Sequence, residues 1–191
     1  MPLRITFNLG EADLQHFEAV AQQTQANARQ LPAETIIAAA RDILQSAEGN
    51  QTAAFVRERF ARLQAVIEMA TDADWLLSEE DRRRVLNALA CFSGPPAAAS
   101  PFSAGLLDHA IMIELVSRDL EHDLDAYRDF CDFRKSEFTN RRRPGVEQDL
   151  QRDEWLQQRR AVLQSRMHAR RKRALEAAGS SVRRLFSLFG L

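Results

Sequence analysis

The chain has 191 residues, 45% apolar and 28% charged, with a net charge of −1; this is an ordinary globular composition, with room for one core and an appendage. Its two cysteines, Cys91 and Cys131, fit neither a disulfide framework nor a zinc spacing and read as free thiols in a reducing compartment. No stretch reaches the roughly 18–20 apolar residues of a membrane span, and the start lacks a basic segment leading into an apolar run, so a cytoplasmic protein without a secretory signal is expected.

The small net charge hides a polarity. Residues 1–140 carry 13 Lys and Arg against 22 Asp and Glu, whereas residues 141–191 carry 13 against 5. An acidic body with a basic C-terminal region predicts that this region meets an anionic partner or folds back onto its own body.

In chain order, residues 3–9 (LRITFNL) alternate apolar and polar, the pattern of a half-buried strand. No second strand is visible. The segment therefore pairs with a copy in another subunit or packs as an extended arm on helices, and the arm needs no partner chain. Asn8 and Glu11 have the spacing of a capping box. A first helix follows from about Glu11 to Gln30, with Leu14, Phe17, Val20 and Ala21 on one face. Pro32 fits the first turn of a second helix carrying Ile36, Ile37, Ala40 and Leu44, which Gly49-Asn50 closes. A third helix, about 51–71, carries Phe55, Val56, Phe60, Leu63, Val66, Ile67 and Ala70. Ser78 and Asp81 cap a fourth, with Val85, Leu86, Leu89 and Ala90 inward.

Gly94, Pro95, Pro96 and Pro101 make residues 93–104 a linker. One long central helix is then expected over about 105–139, buried on several sides at first and amphipathic later. Arg141 to Gly145 is a stop. A markedly polar helix covers about 146–178, and Ser180-Ser181 caps a last short one, VRRLFSLFGL.

The central helix offers Asp108, His109 and Glu114. Asp108 and Glu114 are about 240° apart around the axis, so one metal cannot bind both from this helix alone. Glu114 stands four residues before Arg118, the favourable order for a helical ion pair. Glu114, Arg118, Glu121, His122, Asp125, Arg128 and Asp129 form a polar stripe. It reads as a solvated face, or as a carboxylate and histidine site for a metal or acid–base chemistry completed by another helix; Asp108, Glu114 and His122 are its weak metal candidates. Asp108, near the helix start, has a structural reading as acceptor of backbone N–H groups. The four histidines (16, 109, 122 and 168) are scattered, and no phosphate-loop, dinucleotide, zincin or nucleophile-elbow motif is present. No catalytic or cofactor-binding residue is assigned.

Gly94-Pro95, Gly105, Leu107-Asp108 and the run AIMIELV over 110–116 resemble the YkvA-like family, a bacterial family of domains of unknown function, over about residues 85–125. The family's acidic turn is replaced here by Ala97 to Pro101, and His109 stands where its second aspartate would be. If the family's acidic turn and aspartate pair form a metal or polar site, the resemblance implies that this site is depleted here. Asp108 carries over directly and Glu114 is the second carry-over, and the resemblance brings no settled activity.

The expected architecture is all-α: a helical bundle within residues 1–140, preceded by the extended arm and followed by a basic helical extension over 141–191. The expected function is non-catalytic, an interaction or scaffold module that docks to a protein or to the inner membrane face. Its docking residues are Arg166, Arg170, Arg171, Lys172, Arg173, Arg183, Arg184, Leu185, Phe186 and Phe189. Nucleic-acid binding through the same basic helix and a metal-dependent activity on the central helix are the alternatives, and self-association through the arm or the C-terminal helix is a further expectation.

Overall fold

The computed structural model describes residues 10–47, 54–93, 106–140 and 146–177. These hold seven helices and, among the described residues, no strand: α1 (Glu11–Ala28), α2 (Ala33–Ala47), α3 (Ala54–Thr71), α4 (Glu79–Ala90), α5 (Leu106–Asp119), α6 (Glu121–Asn140) and α7 (Val146–Ala177). The all-α multi-helix bundle expected from the sequence is what forms. The 3–9 arm, Asn8, Gly49-Asn50, residues 94–104 of the linker, the 141–145 stop and the final short helix lie outside the described residues.

Each helix begins and ends for local reasons. At α1 the backbone N–H of Gly10 donates to the Asp13 carboxylate at 2.9 Å, one half of a capping box, two residues on from the expected Asn8 and Glu11 pair. Pro32 stands just before α2, and its carbonyl accepts the N–H groups of Thr35 and Ile36. Ser78 caps α4 by accepting the N–H of Asp81 at 3.1 Å.

α3 is central, packing against α2, α4, α5 and α6; α1 lies on α4. α6 and α7 form an antiparallel hairpin. Arg171 near the end of α7 reaches Asp123 at the start of α6, while Arg159 lies over the Phe133 ring further along. The core runs through Phe60, Leu63, Val66, Trp75, Leu89, Ile113, Leu120 and Phe130. Leu156, Leu163 and Met167 join the same core from α7. The basic C-terminal helix is thus one wall of the bundle.

Two expectations change. Phe55, grouped with the apolar residues of α3, is 38% exposed, and the Arg59 guanidinium covers its ring at 4.1 Å. The single helix expected over 105–139 is two. α5 ends at Asp119, whose carbonyl accepts an N–H from Arg84 at 2.6 Å, and α6 starts after Leu120. A guanidinium caps the end of α5 where the periodicity of the apolar residues continues unbroken, so the pattern alone reads as one element.

The loop over residues 72–78 is pinned from three sides. Asp72 accepts the N–H of Asp74, and Arg134 of α6 holds both Asp72 and Asp74 at 2.8 and 3.0 Å. From α7, Arg160 donates to the carbonyl of Asp74 and Gln164 to those of Trp75 and Leu76. Trp75 is wholly buried against Tyr127 and Phe130. Leu76 takes a positive φ of 45°, a left-handed conformation that costs energy for a residue with a Cβ and that these surrounding bonds maintain.

Leu63→Ala, at a fully buried position of α3, should lower the unfolding free energy by about 2–5 kcal/mol in urea titrations followed by circular dichroism. Phe55→Ala should lower it by less than about 1 kcal/mol.

Candidate functional site

Among the described residues, one buried polar cluster joins four helices. Asp81 and Arg84 come from α4, one turn apart. Asp119 is the last residue of α5 and Asp123 lies in the first turn of α6. Arg171 and His168 come from α7, again nearly one turn apart. Arg84 donates to Asp123 at 2.7 Å and to the Asp119 carboxylate at 3.1 Å. Arg171 donates to Asp81 at 2.6 Å and to Asp123 at 3.2 Å. The second oxygen of Asp81 accepts from the Ser78 hydroxyl at 2.6 Å and lies 2.9 Å from Nε2 of His168. Asp81, Arg84, Asp119, Asp123 and Arg171 are all buried, whereas the His168 side chain is 47% exposed.

The two guanidiniums act as planar forks between carboxylates, the geometry for which arginine is suited. Asp123 is shared, one oxygen to Arg84 and one to Arg171, so α4, α6 and α7 meet on a single side chain. Burial alone would raise the Asp81 pKa, but the hydrogen bonds from Ser78, Arg171 and His168 outweigh it and hold the group below the usual carboxylate value. Asp119 goes the other way, pushed up to about 6 by burial, with Arg84 pulling against that and the charge of Asp123 reinforcing it. Burial wins at Asp119 because Oδ1 has no hydrogen-bond partner among the described residues, leaving an ionised form poorly compensated.

The cluster is a charge clamp rather than a metal centre. No group of three or more His, Cys, Asp or Glu side chains arranged for a metal ion occurs among the described residues. Asp108, Glu114 and His122 are accordingly not brought together. Glu114 is engaged across the helix interface by Arg59 and Arg62 of α3, each at 2.9 Å, in addition to standing on the same helix as Arg118. His109 is half-buried beside Asp108, and burial lowers its pKa against the opposing pull of that carboxylate. Along the rest of the stripe, the Asp125–Arg128 pair at 3.2 Å is exposed, a class of pair that contributes little.

The basic residues of α7 divide into two sets. Arg166, Arg170, Lys172 and Arg173 are exposed. Arg171, expected among the docking residues, is buried; it belongs to the clamp, because Leu163, Met167 and Arg171 succeed one another at four-residue intervals on the inward face. Arg183, Arg184, Leu185, Phe186 and Phe189 lie outside the described residues. The sequence reading missed Asp81, Arg84, Asp119, Asp123 and His168. One signal was present: Asp119 and Asp123 are like charges four apart, flanking Leu120 and Leu124 on the inward line, an arrangement that is unfavourable unless a cation from another helix lies between them.

No family model matches the chain, and no curated protein or solved structure similar to it was found. The resemblance to the YkvA-like family rests on the residues quoted for it.

Arg84→Met should destabilise the protein by about 3–5 kcal/mol, because it leaves the buried Asp119 without its cation and Asp123 with Arg171 alone. Urea titration of Arg84→Met, of Asp123→Asn and of the double variant measures the coupling, and additive losses would refute the pairing. Asp119 has its own signature. Its folded value of about 6 lies above the unfolded 3.8, so its contribution to stability is present below the unfolded value and is lost as pH rises through the folded one. Asp119→Asn should flatten the fall in urea midpoint between pH about 4 and about 6.

Proposed function

We propose that this chain is a non-catalytic helical interaction module that docks on an anionic membrane surface through the outward face of α7 and the sequence that follows it. The observation that carries this reading is the division of labour along α7. Its inward face supplies core residues and Arg171 to the bundle, while Arg166, Arg170, Lys172 and Arg173 project from the other side. A helix needed only to close the bundle has no use for so concentrated a charge on its solvent face.

The continuation supports a lipid partner over other anions. Val182 precedes Arg183 and Arg184, and Leu185, Phe186, Leu188, Phe189 and Leu191 follow them in the sequence, the mixture of apolar and cationic residues that suits the headgroup boundary. Each cation near such a surface contributes about 1 kcal/mol. Among the described residues no helix is long and apolar enough to cross a membrane, so the contact in this reading is peripheral, at the inner face and from the cytoplasm. A protein partner with an acidic surface would use the same cations. Nucleic acid would also need them, but the aromatic residues are not interleaved with the basic ones as stacking platforms are.

Vesicle flotation with the full chain tests the reading. Wild type should float with anionic vesicles and stay unbound with neutral ones. Arg166→Glu/Arg170→Glu/Lys172→Glu/Arg173→Glu should reduce the bound fraction by more than about tenfold, and Leu185→Ser/Phe186→Ser/Phe189→Ser should weaken binding to the same vesicles. Wild type that ignores anionic vesicles but binds duplex nucleic acid with a steep salt dependence would replace this reading with the nucleic-acid one.

A further inference from the structure

α5 turns one side to the bundle and the other away from it. Ala110, Ile113, Val116 and Ser117 are buried, and the helix packs on α3 and meets α6 at its end. Ile111 and Leu115 stand two residues either side of Ile113, about 160° from it around the axis, and Asp108 and Arg118 stand five residues either side, about 140° from it. Asp108, Ile111 and Leu115 are partly exposed and Arg118 is exposed. Their spacings of three, four and three residues are those by which one helix faces a partner helix in a coiled coil. Leu107, also partly exposed, flanks the stripe one turn before Ile111.

Two of these residues are left over by the fold. Glu114, four residues before Arg118, is taken by Arg59 and Arg62 of α3, and among the described residues Arg118 has no ion pair. Asp108, expected to accept backbone N–H groups, has neither a hydrogen bond nor an ion pair there. An anion thus stands at one end of a short apolar stripe and a cation at the other, each without a partner in its own chain.

The stripe is complementary to itself. Asp108 and Arg118 are equidistant from Ile113, and so are Ile111 and Leu115. When a second copy lies antiparallel with the two-fold axis level with Ile113, Ile111 of each copy meets Leu115 of the other and Asp108 of each meets Arg118 of the other. This is the condition for an isologous contact, in which one patch serves as both halves. The charges nearby favour the same occupant. Arg59, Arg62 and Arg118 are balanced by Glu58, Asp108 and Glu114, so the patch lacks the cation excess that an anionic membrane or a nucleic acid would demand.

We propose that the outward face of α5 is a self-association surface, through which two copies of the chain pair antiparallel about Ile113. It is distinct from the arm and the C-terminal helix to which the sequence pointed for self-association. Four side chains from each copy are far fewer than the roughly 20–30 residues a side of a standard stable interface, so the dimer is weak and forms at high concentration. α7 plays no part in it, and the surface stands or falls separately from the docking reading.

Sedimentation equilibrium of the full chain over roughly 1–300 µM, without vesicles, tests it. Wild type should pass from the mass of one chain towards that of two. Asp108→Arg alone, or Arg118→Asp alone, sets like charges opposite each other in both pairs and should weaken association by at least about tenfold. Combining the two in one chain restores both pairs with their signs exchanged and should recover the dimer. Mixing the two single variants, each of which opposes itself, should yield a dimer of one with the other. The surface is refuted by a wild type that stays single at the highest concentration, by association that neither single reversal weakens, or by a double reversal and a mixture that both remain monomeric. Circular dichroism checks that each variant folds; should one single variant fail to fold, the double reversal measured against the other decides.

Discussion

Asp123 accepts from two arginines that belong to different helices, and the arrangement of the molecule follows from that sharing. Arg84 fixes α4 to the start of α6 and, through the carbonyl of Asp119, ends α5. Arg171 then fixes α7 to the same carboxylate and to Asp81. Apolar burial supplies the driving force for the bundle, but it is non-directional and tolerates sliding of one helix along another. The clamp does not tolerate it. A shift of one residue along α7 would rotate Arg171 by about 100° and carry it away from both aspartates. Its contribution is therefore to register more than to net stability, since desolvating five charged groups offsets much of what their pairing returns.

The pinned 72–78 loop repeats this logic at the other end of α7. There the partners are backbone carbonyls and a buried indole, and Leu76 is kept in a left-handed conformation by them. Burial and its hydrogen bonds to Cys131 and Asp72 raise the pKa of Tyr127, so the phenol stays a neutral donor to Asp72. One end of α7 is thus held through backbone carbonyls and apolar contacts and the other through paired ionised side chains.

Much of the helical framework was legible in the residues. Apolar spacing located α1 to α4 and α7, and Ser78 marked the start of α4 because a hydroxyl at that position satisfies an otherwise orphaned N–H. The break at Leu120 was not legible, because what ends α5 is a side chain 35 residues away in sequence. Phe55 misled for a related reason: its ring is apolar, yet Arg59 shields it from the solvent side. The clamp was the largest omission. Asp81 looked like a capping residue and serves as one neighbour of the cap, but its burial depends on Arg171, which local pattern cannot connect to it. Arg171 in turn looked like one more cation in a basic run. Only its four-residue spacing from Met167 distinguishes it from Arg170 and Lys172.

Asp81 and Arg171 are separated by 90 positions in the chain. At translation rates of roughly 5–20 residues per second, a nascent chain holds Asp81 for several seconds before its partner exists. Once Asp123 has been added, it too has only one of its two cations until Arg171 is made, and the surface awaiting Leu156, Leu163 and Met167 faces water. The first six helices cannot complete their interior on the ribosome, however quickly each forms. A chain that stops short of α7 leaves Asp81 without Arg171 and the core without Leu156, Leu163 and Met167, an acidic, apolar cleft open for a chaperone or a protease to find.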